Sequence, residues 1–377
     1  MRDTEKFKSA FIRPSIFIGL LLCVGLLASF GCSQVDTRGA NSLSTTTTTT
    51  TATTGSSSAS TTTTTIFNRL ALLRDSQTFM YQIAELEAPG AIAALAATEY
   101  PMIVIEPTYT VKGMESFDVQ GMINSLRRTP SGKYRIILAY VDIGEAENYR
   151  TYWVSTWEAP VGSTPGNPDF IIHADPDGWS GNYPVAYWDA RWKAIWLGSG
   201  GLVEQLAHYG FDGIYMDWVE AYDYNKVIAA ATVQGKDPAG EMFTFIHELR
   251  VAGQAVTGDF LVVAQNSPYL IDENQSLYTA NIDALAEEDT WFSGSADADW
   301  NAAGSGDIPN TYSNSSGYST SALLAQYEKY KSAGLPVFTI DYCTLESNAF
   351  LVTTEARAYG LRPLVTRVSL SQIPNWR

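Results

Sequence analysis

The chain has 377 residues, with 24 Lys and Arg against 40 Asp and Glu and a formal net charge of −16. So acidic a balance argues against a polyanionic partner such as nucleic acid and suits a neutral or cationic polymer. Of the 3 Cys, only Cys343 falls in the part expected to fold, which excludes an intrachain disulfide there.

At the N-terminus, Lys6, Lys8 and Arg13 precede an apolar run from Ile16 to Phe30, and small residues lead to Gly31-Cys32. This is the layout of a secretory signal over 1–31. The run is about fifteen residues long, short of the roughly twenty a membrane span needs. Gly-Cys at its end resembles a bacterial lipobox, so Cys32 is expected to become a lipidated N-terminus and the membrane to be met through that anchor only. Residues 32–65 are almost entirely Ser, Thr, Ala and Gly. Such a stretch cannot offset its ordering entropy and reads as a solvated stalk. The expected location is extracytoplasmic, as a cell-surface or periplasmic lipoprotein, and the expected state is a monomer.

From 66 to 377, short apolar runs alternate with helical patterns. Strands are predicted at Phe79–Ile83, Met102–Glu106, Arg135–Val141, Gly213–Asp217, Phe260–Gln265, Ile282–Ala286, Pro336–Asp341 and Pro363–Thr366. Helical patterns fall at Pro89–Thr98, Phe117–Arg128, Asp189–Tyr209, Gly240–Ala255, Ser319–Ala333 and Glu346–Ala358. Apolar runs without alternation indicate strands buried on both faces, hence a parallel sheet. Eight such units over about 310 residues select a closed (β/α)8 TIM-type barrel over an open doubly wound sheet. No Gly-rich phosphate loop follows the first strand, which disfavours a nucleotide fold. The long connections Ala159–Pro184 and Thr290–Tyr318 carry Trp179, Tyr183, Trp291, Trp300 and Tyr312 and are read as functional loops.

In a barrel of this kind the chemistry sits at the C-terminal strand ends. There the sequence places Asp142, Glu145, Glu147, Tyr149 and Arg150 after strand three, Asp217, Trp218 and Glu220 after strand four, and Gln265 and Asn266 after strand five. Glu287, Glu288 and Asp289 follow strand six, and Asp341 and Tyr342 follow strand seven. Converging carboxylates separate one another's pKa values, as a paired acid and nucleophile require. The 3 His lie at no strand end and at no ligand spacing, which argues against zinc and against Ser-His-Asp catalysis. An all-oxygen Ca2+ or Mg2+ site near Asp142 and Glu145 stays open on composition, and no metal or cofactor is expected. Tyr81, Tyr140, Tyr187, Tyr215 and further aromatics lie beside these ends; most are expected to pack the core, with Trp218 placed in a sugar-binding groove.

The motifs Tyr140-Val-Asp-Ile-Gly-Glu-Ala-Glu-Asn-Tyr-Arg150 and Gly210-Phe-Asp-Gly-Ile-Tyr-Met-Asp-Trp-Val-Glu220, with Gln265-Asn266, Glu288-Asp289 and Asp341-Tyr342, together resemble the endo-α-1,4-polygalactosaminidase family, glycoside hydrolase family 114. The likeness runs from Tyr81-Gln82 to the last strand. It implies hydrolysis of an α-1,4-linked galactosamine exopolysaccharide, with Asp217 as nucleophile and Glu288 as acid/base. It also implies polymer contacts from Tyr81, Glu106, Tyr149, Trp218, Gln265, Asn266 and Tyr342. Strand two departs from the pattern, with Glu106-Pro107 where relatives carry Asp followed by Tyr or Ser. Since neighbouring strand residues face opposite ways, only one of Glu287 and Glu288 can enter the mouth. Asp142, Glu145, Glu220, Asp289 and Asp341 could pair with the polymer's ammonium groups, each exposed pair contributing on the order of 1 kcal/mol or less. Retaining and inverting chemistry both fit the strand spacing, with retention favoured by analogy. Two other readings are a surface carbohydrate-binding barrel without activity and a hydrolase of a different α-linked glycan.

Overall fold

The computed structural model describes residues 68–176, 179–296 and 298–375. The expected signal over 1–31, the lipidation at Cys32 and the stalk to residue 65 lie outside them.

Eight parallel strands form one nearly closed (β/α)8 barrel, each beside its neighbour in chain order. They are β1 (Met80–Gln82), β2 (Met102–Ile105), β3 (Ile136–Asp142), β4 (Gly213–Asp217), β5 (Leu261–Gln265), β6 (Ala284–Glu288), β7 (Val337–Tyr342) and β8 (Arg362–Thr366). From β1 to β7 every strand residue is buried. The missing apolar–polar alternation therefore reports two covered faces: an inner one filled by side chains from the strands and an outer one under the helices. At the seam, the carbonyl of Leu370, beyond β8, accepts the backbone N–H groups of Ile83 at 3.1 Å and Ala84 at 3.3 Å just after β1. The Gln82 side-chain amide donates to the Ser371 carbonyl at 2.8 Å, tying the same edge.

Three expectations need correction. The sixth strand runs Ala284–Glu288 and not Ile282–Ala286. Asp283 is engaged before the strand starts, accepting the Val262 amide at 2.8 Å and pairing with Arg250 at 2.9 Å. The expected helix Asp189–Tyr209 is two helices, Ala190–Leu197 and Leu202–Tyr209, broken where Gly198, Gly200 and Gly201 cluster. The connection after β3 is not plain loop, because Glu145–Glu147 pairs antiparallel with Asn182–Pro184.

The N-terminal end of the barrel is fastened around Asp212, which is fully buried just ahead of β4. Its carboxylate accepts Arg69 Nε and the Tyr134 hydroxyl, both at 2.6 Å, the Ile137 amide at 2.8 Å, and a guanidinium N–H of Arg127. The helix Arg69–Asp75, the β3 approach and the β4 approach thus share one anion. Replacing Asp212 by Ala leaves Arg69 and Arg127 without that partner and should cost about 3–5 kcal/mol. Urea unfolding monitored by circular dichroism checks this, and a loss below about 1 kcal/mol would remove Asp212 from the role.

Candidate active site

Inside the barrel, alternation sorts the side chains. Tyr140 and Asp142 share a face of β3, as Tyr215 and Asp217 do on β4, and the two strands pair in register with Tyr140 opposite Tyr215 and Asp142 opposite Asp217. The rings of Tyr81 and Tyr215 lie 5.1 Å apart and those of Tyr81 and Tyr140 6.2 Å apart, so tyrosines from β1, β3 and β4 fill one interior layer below the strand ends.

On that layer stand two carboxyl groups. Asp217, the last residue of β4, is 1% exposed and Glu288, the last of β6, is 3% exposed, so both are largely withdrawn from water. Asp217 Oδ2 accepts the Tyr140 hydroxyl at 2.8 Å, and Oδ1 accepts the Trp218 amide at 2.9 Å. Burial and the nearby Glu288 charge push the Asp217 pKa up to about 7, against the pull of those two donors. Glu288 Oε2 accepts both side-chain amides of Gln265 and Asn266, while Oε1 faces the Tyr342 hydroxyl. Asn266 is doubly used, since its Oδ1 accepts the Glu288 backbone amide at 3.0 Å.

Between the two adjacent glutamates, Glu288 is the one turned inward. Glu287 takes the other side of β6, and its charge acts on Tyr278 and Tyr330.

Several residues expected at the polymer are engaged elsewhere. Tyr81 is fully buried and donates to Gln265 Oε1 at 3.2 Å, so it braces the amide that holds Glu288. Trp218 is 5% exposed with its ring edge-on to Tyr224 at 5.8 Å, and it packs where an open stacking face was expected. Gly144 is required beneath it, because a Cβ there would come within 2.2 Å of the Trp218 carbonyl. Glu106 is held by both terminal nitrogens of Arg150, which also takes Glu147 at 2.6 Å. Burial raises the Glu106 pKa and outweighs Arg150. Tyr149 donates its hydroxyl to Glu147 and joins the same cluster.

Asp142 and Glu145 are buried as well. Asp142 Oδ1 caps the turn, accepting the amides of Gly144 at 3.1 Å and Glu145 at 2.8 Å. Burial, then the charges of Glu147 and Asp217, hold its pKa well above the usual range. Glu145 takes Asn182 Nδ2 at 3.3 Å, and burial with Asp142 and Asp175 nearby raises it likewise. Asp341 faces away from Tyr342 and binds the amides of Trp291 at 2.6 Å and Phe292 at 2.9 Å, pinning the loop after β6. Burial lifts its pKa to about 7 despite those two donors. Glu220 and Asp289 are half-buried and remain nearest the surface of the expected acidic residues. Among the described residues no group of three or more His, Cys, Asp and Glu is arranged to hold a metal ion.

Tyr140 and Arg150 lie within the first long motif, which by itself gives neither a place in the site. Tyr140 had a usable signal, its two-residue spacing from Asp142 on one strand face. Arg150 had only Glu147, three positions before it, because its other partner Glu106 lies 44 positions away.

The model of Glycoside-hydrolase family GH114 matches residues 59–377. An uncharacterized protein of Deinococcus radiodurans is 29% identical over 283 residues, covering 74% of this chain and 77% of the relative. An uncharacterized protein of Methanocaldococcus jannaschii is 25% identical over 298 residues, covering 77% and 76%. In fold, the chain is similar to the glycoside hydrolase domain of PelA from Pseudomonas aeruginosa. The TM-score is 0.54 at 15% identity, over 79% of this chain and 97% of that one.

Arg150→Met should separate framework from chemistry. With the cation gone, the Glu106 and Glu147 carboxyl groups stay buried without a counter-charge, at a cost of about 3–5 kcal/mol near neutral pH. The loss should shrink as pH falls through the ordinary carboxylate range, where Glu106, whose folded pKa burial already raises, is protonated whether folded or not. Denaturant titrations at neutral and acidic pH check this, and a loss independent of pH would contradict it.

Proposed function

We infer, for a chain that belongs to Glycoside-hydrolase family GH114, that Asp217 and Glu288 together cleave an α-1,4-linked galactosamine-type polysaccharide with retention of anomeric configuration. The chain is a glycoside hydrolase; the substrate and the roles of the two carboxyl groups are our reading. The observation that supports it is their electrostatic coupling. They end alternate strands of one barrel, are almost wholly buried, and burial, then the Glu288 charge, raise Asp217 to about 7.

In the first step, Asp217 attacks the anomeric carbon and the glycosidic C–O bond breaks, with the Glu288 proton passing to the leaving oxygen. In the second, water attacks the same carbon, gives its proton to Glu288, and displaces Asp217. With Oε2 of Glu288 taken by two amide donors, Oε1 is the oxygen that can carry the proton, where the Tyr342 hydroxyl can accept as readily as donate. Gln265, Asn266, Tyr342 and Tyr81 then serve Glu288 and reach the sugar indirectly. For the polymer's ammonium groups the reading keeps Glu220 and Asp289, and polymer binding should weaken with salt. We further place the enzyme outside the cytoplasm, held by a lipid on Cys32, as a monomer.

Asp217→Asn and Glu288→Gln should each lower turnover on polygalactosamine by about 10²-fold or more. Near-normal reducing-end release from either variant would sink its assigned role, and binding of polymer by the native chain without release would favour a carbohydrate-binding barrel. Roles can be told apart with azide on an activated α-glycoside. Asp217→Ala should give the β-azide and Glu288→Ala the α-azide, and the opposite pairing would exchange the assignments. Because Asp217 acts ionised, kcat/KM of the native enzyme should rise with pH through about 7, the apparent value belonging to the pair.

A further inference from the structure

Tyr140 is 4% exposed, and its hydroxyl meets Asp217 Oδ2 at 2.8 Å. A phenol cannot swing out of a filled barrel, and this ring is braced by Tyr81, itself braced by Tyr215. The other oxygen of Asp217 is held by the Trp218 amide. The carboxylate is therefore fixed at two points, one of them a side chain from the neighbouring strand. The same Tyr81 donates to Gln265, which donates to Glu288, so the tyrosine layer carries both carboxyl groups on one rigid support.

We propose that Tyr140 is a positioning residue for the nucleophile: its hydroxyl orients Asp217 toward the anomeric carbon and keeps the carboxylate ionised among the acidic groups that surround it. This rests on the reading of Asp217 given above. Those groups are Glu288 on β6, Asp142 on β3 and Glu147 in the connection after β3. Among three acidic neighbours in a buried site, a neutral O–H donor favours the anion without forming an ion pair that would quench its attack.

Tyr140→Phe keeps the ring and removes the donor. We expect kcat on polygalactosamine to fall about 10- to 100-fold, the loss of one hydrogen bond to a charged group. KM should change by no more than about twofold, since the contact is not with substrate. The acidic limb of kcat/KM should move to higher pH, because the ionised form has lost a donor. Difluorotyrosine at Tyr140, a stronger donor of the same shape, should move that limb to lower pH, and this second measurement survives if the Phe variant folds poorly. Tyr215→Phe is the matched control. Its buried hydroxyl has no hydrogen-bond partner among the described residues, so the pH profile should stay in place. An unchanged limb in both Tyr140 variants, with Asp217→Asn inactive, overturns the positioning role and leaves the nucleophile standing. An active Asp217→Asn overturns the nucleophile itself.

Discussion

Everything at the C-terminal end of this barrel follows from burying several carboxyl groups close together. An isolated carboxylate out of water is too costly to persist, so each needs a cation, a set of neutral donors or a proton. The chain divides its acids by which solution each receives. Glu106 and Glu147 share Arg150, and at the opposite end Asp212 takes Arg69 and Arg127. Charge pairing of that kind sets a fixed cation against each anion, which suits a clamp. Asp217 and Glu288 are held by a tyrosine, a backbone amide and side-chain amides. Neutral donors shape a carboxyl group without fixing its protonation state, which suits the proton exchange proposed for this pair.

Much of this was legible in the sequence, and the limit has a physical cause. Continuous apolar runs announced eight buried strands because burial on two faces leaves no alternation, and strand ends located Asp217 and Glu288 because parallel strands in a barrel present those ends together. Alternation also told in advance that one of Glu287 and Glu288 must face outward. What failed was the partner of each remaining acid. Glu106 and Arg150 are separated by 44 positions, and Asp341 reaches the amides of Trp291 and Phe292 about 50 positions away. Nothing local in the chain distinguishes such a carboxylate from one open to a ligand, so Glu106 and Asp341 were assigned to the polymer when the fold uses them for itself. Trp218 misled for a similar reason: an aromatic next to a reactive strand end satisfies both the packing and the stacking pattern.

The backbone supplies a further element that no composition reveals. At β4, β5 and β6 the residue directly after the inward-facing group has left-handed geometry: Trp218 at φ 55°, Asn266 at 51° and Asp289 at 59°. Asn and Asp tolerate that region, whereas a bulky Trp adopts it only when its surroundings insist. At β5 and β6 the ladder is not broken by the reversal: Asn266 still donates to the Ala286 carbonyl at 3.0 Å and Asp289 to Ile340 at 2.9 Å, whereas at β4 the Trp218 amide turns back onto Asp217 Oδ1.

That arrangement holds a buried pair rigidly at the very ends of its strands. If the strands simply ran on, their next residues would continue the sheet over Asp217, Gln265 and Glu288. Turning the chain away one residue later ends the wall at the level of the carboxyl groups while leaving them anchored at the ends of paired strands. A cost of order 1–3 kcal/mol for each such residue is sustained only where the surroundings over-determine the geometry, and here they do. Gly144 fits under Trp218 with no room for a side chain, and Asn266 is gripped through both ends of its amide by Glu288. Strain, donor placement and charge therefore act on the same few residues. The barrel's stability elsewhere, from its closed seam to the Asp212 clasp, is what allows them to be held there.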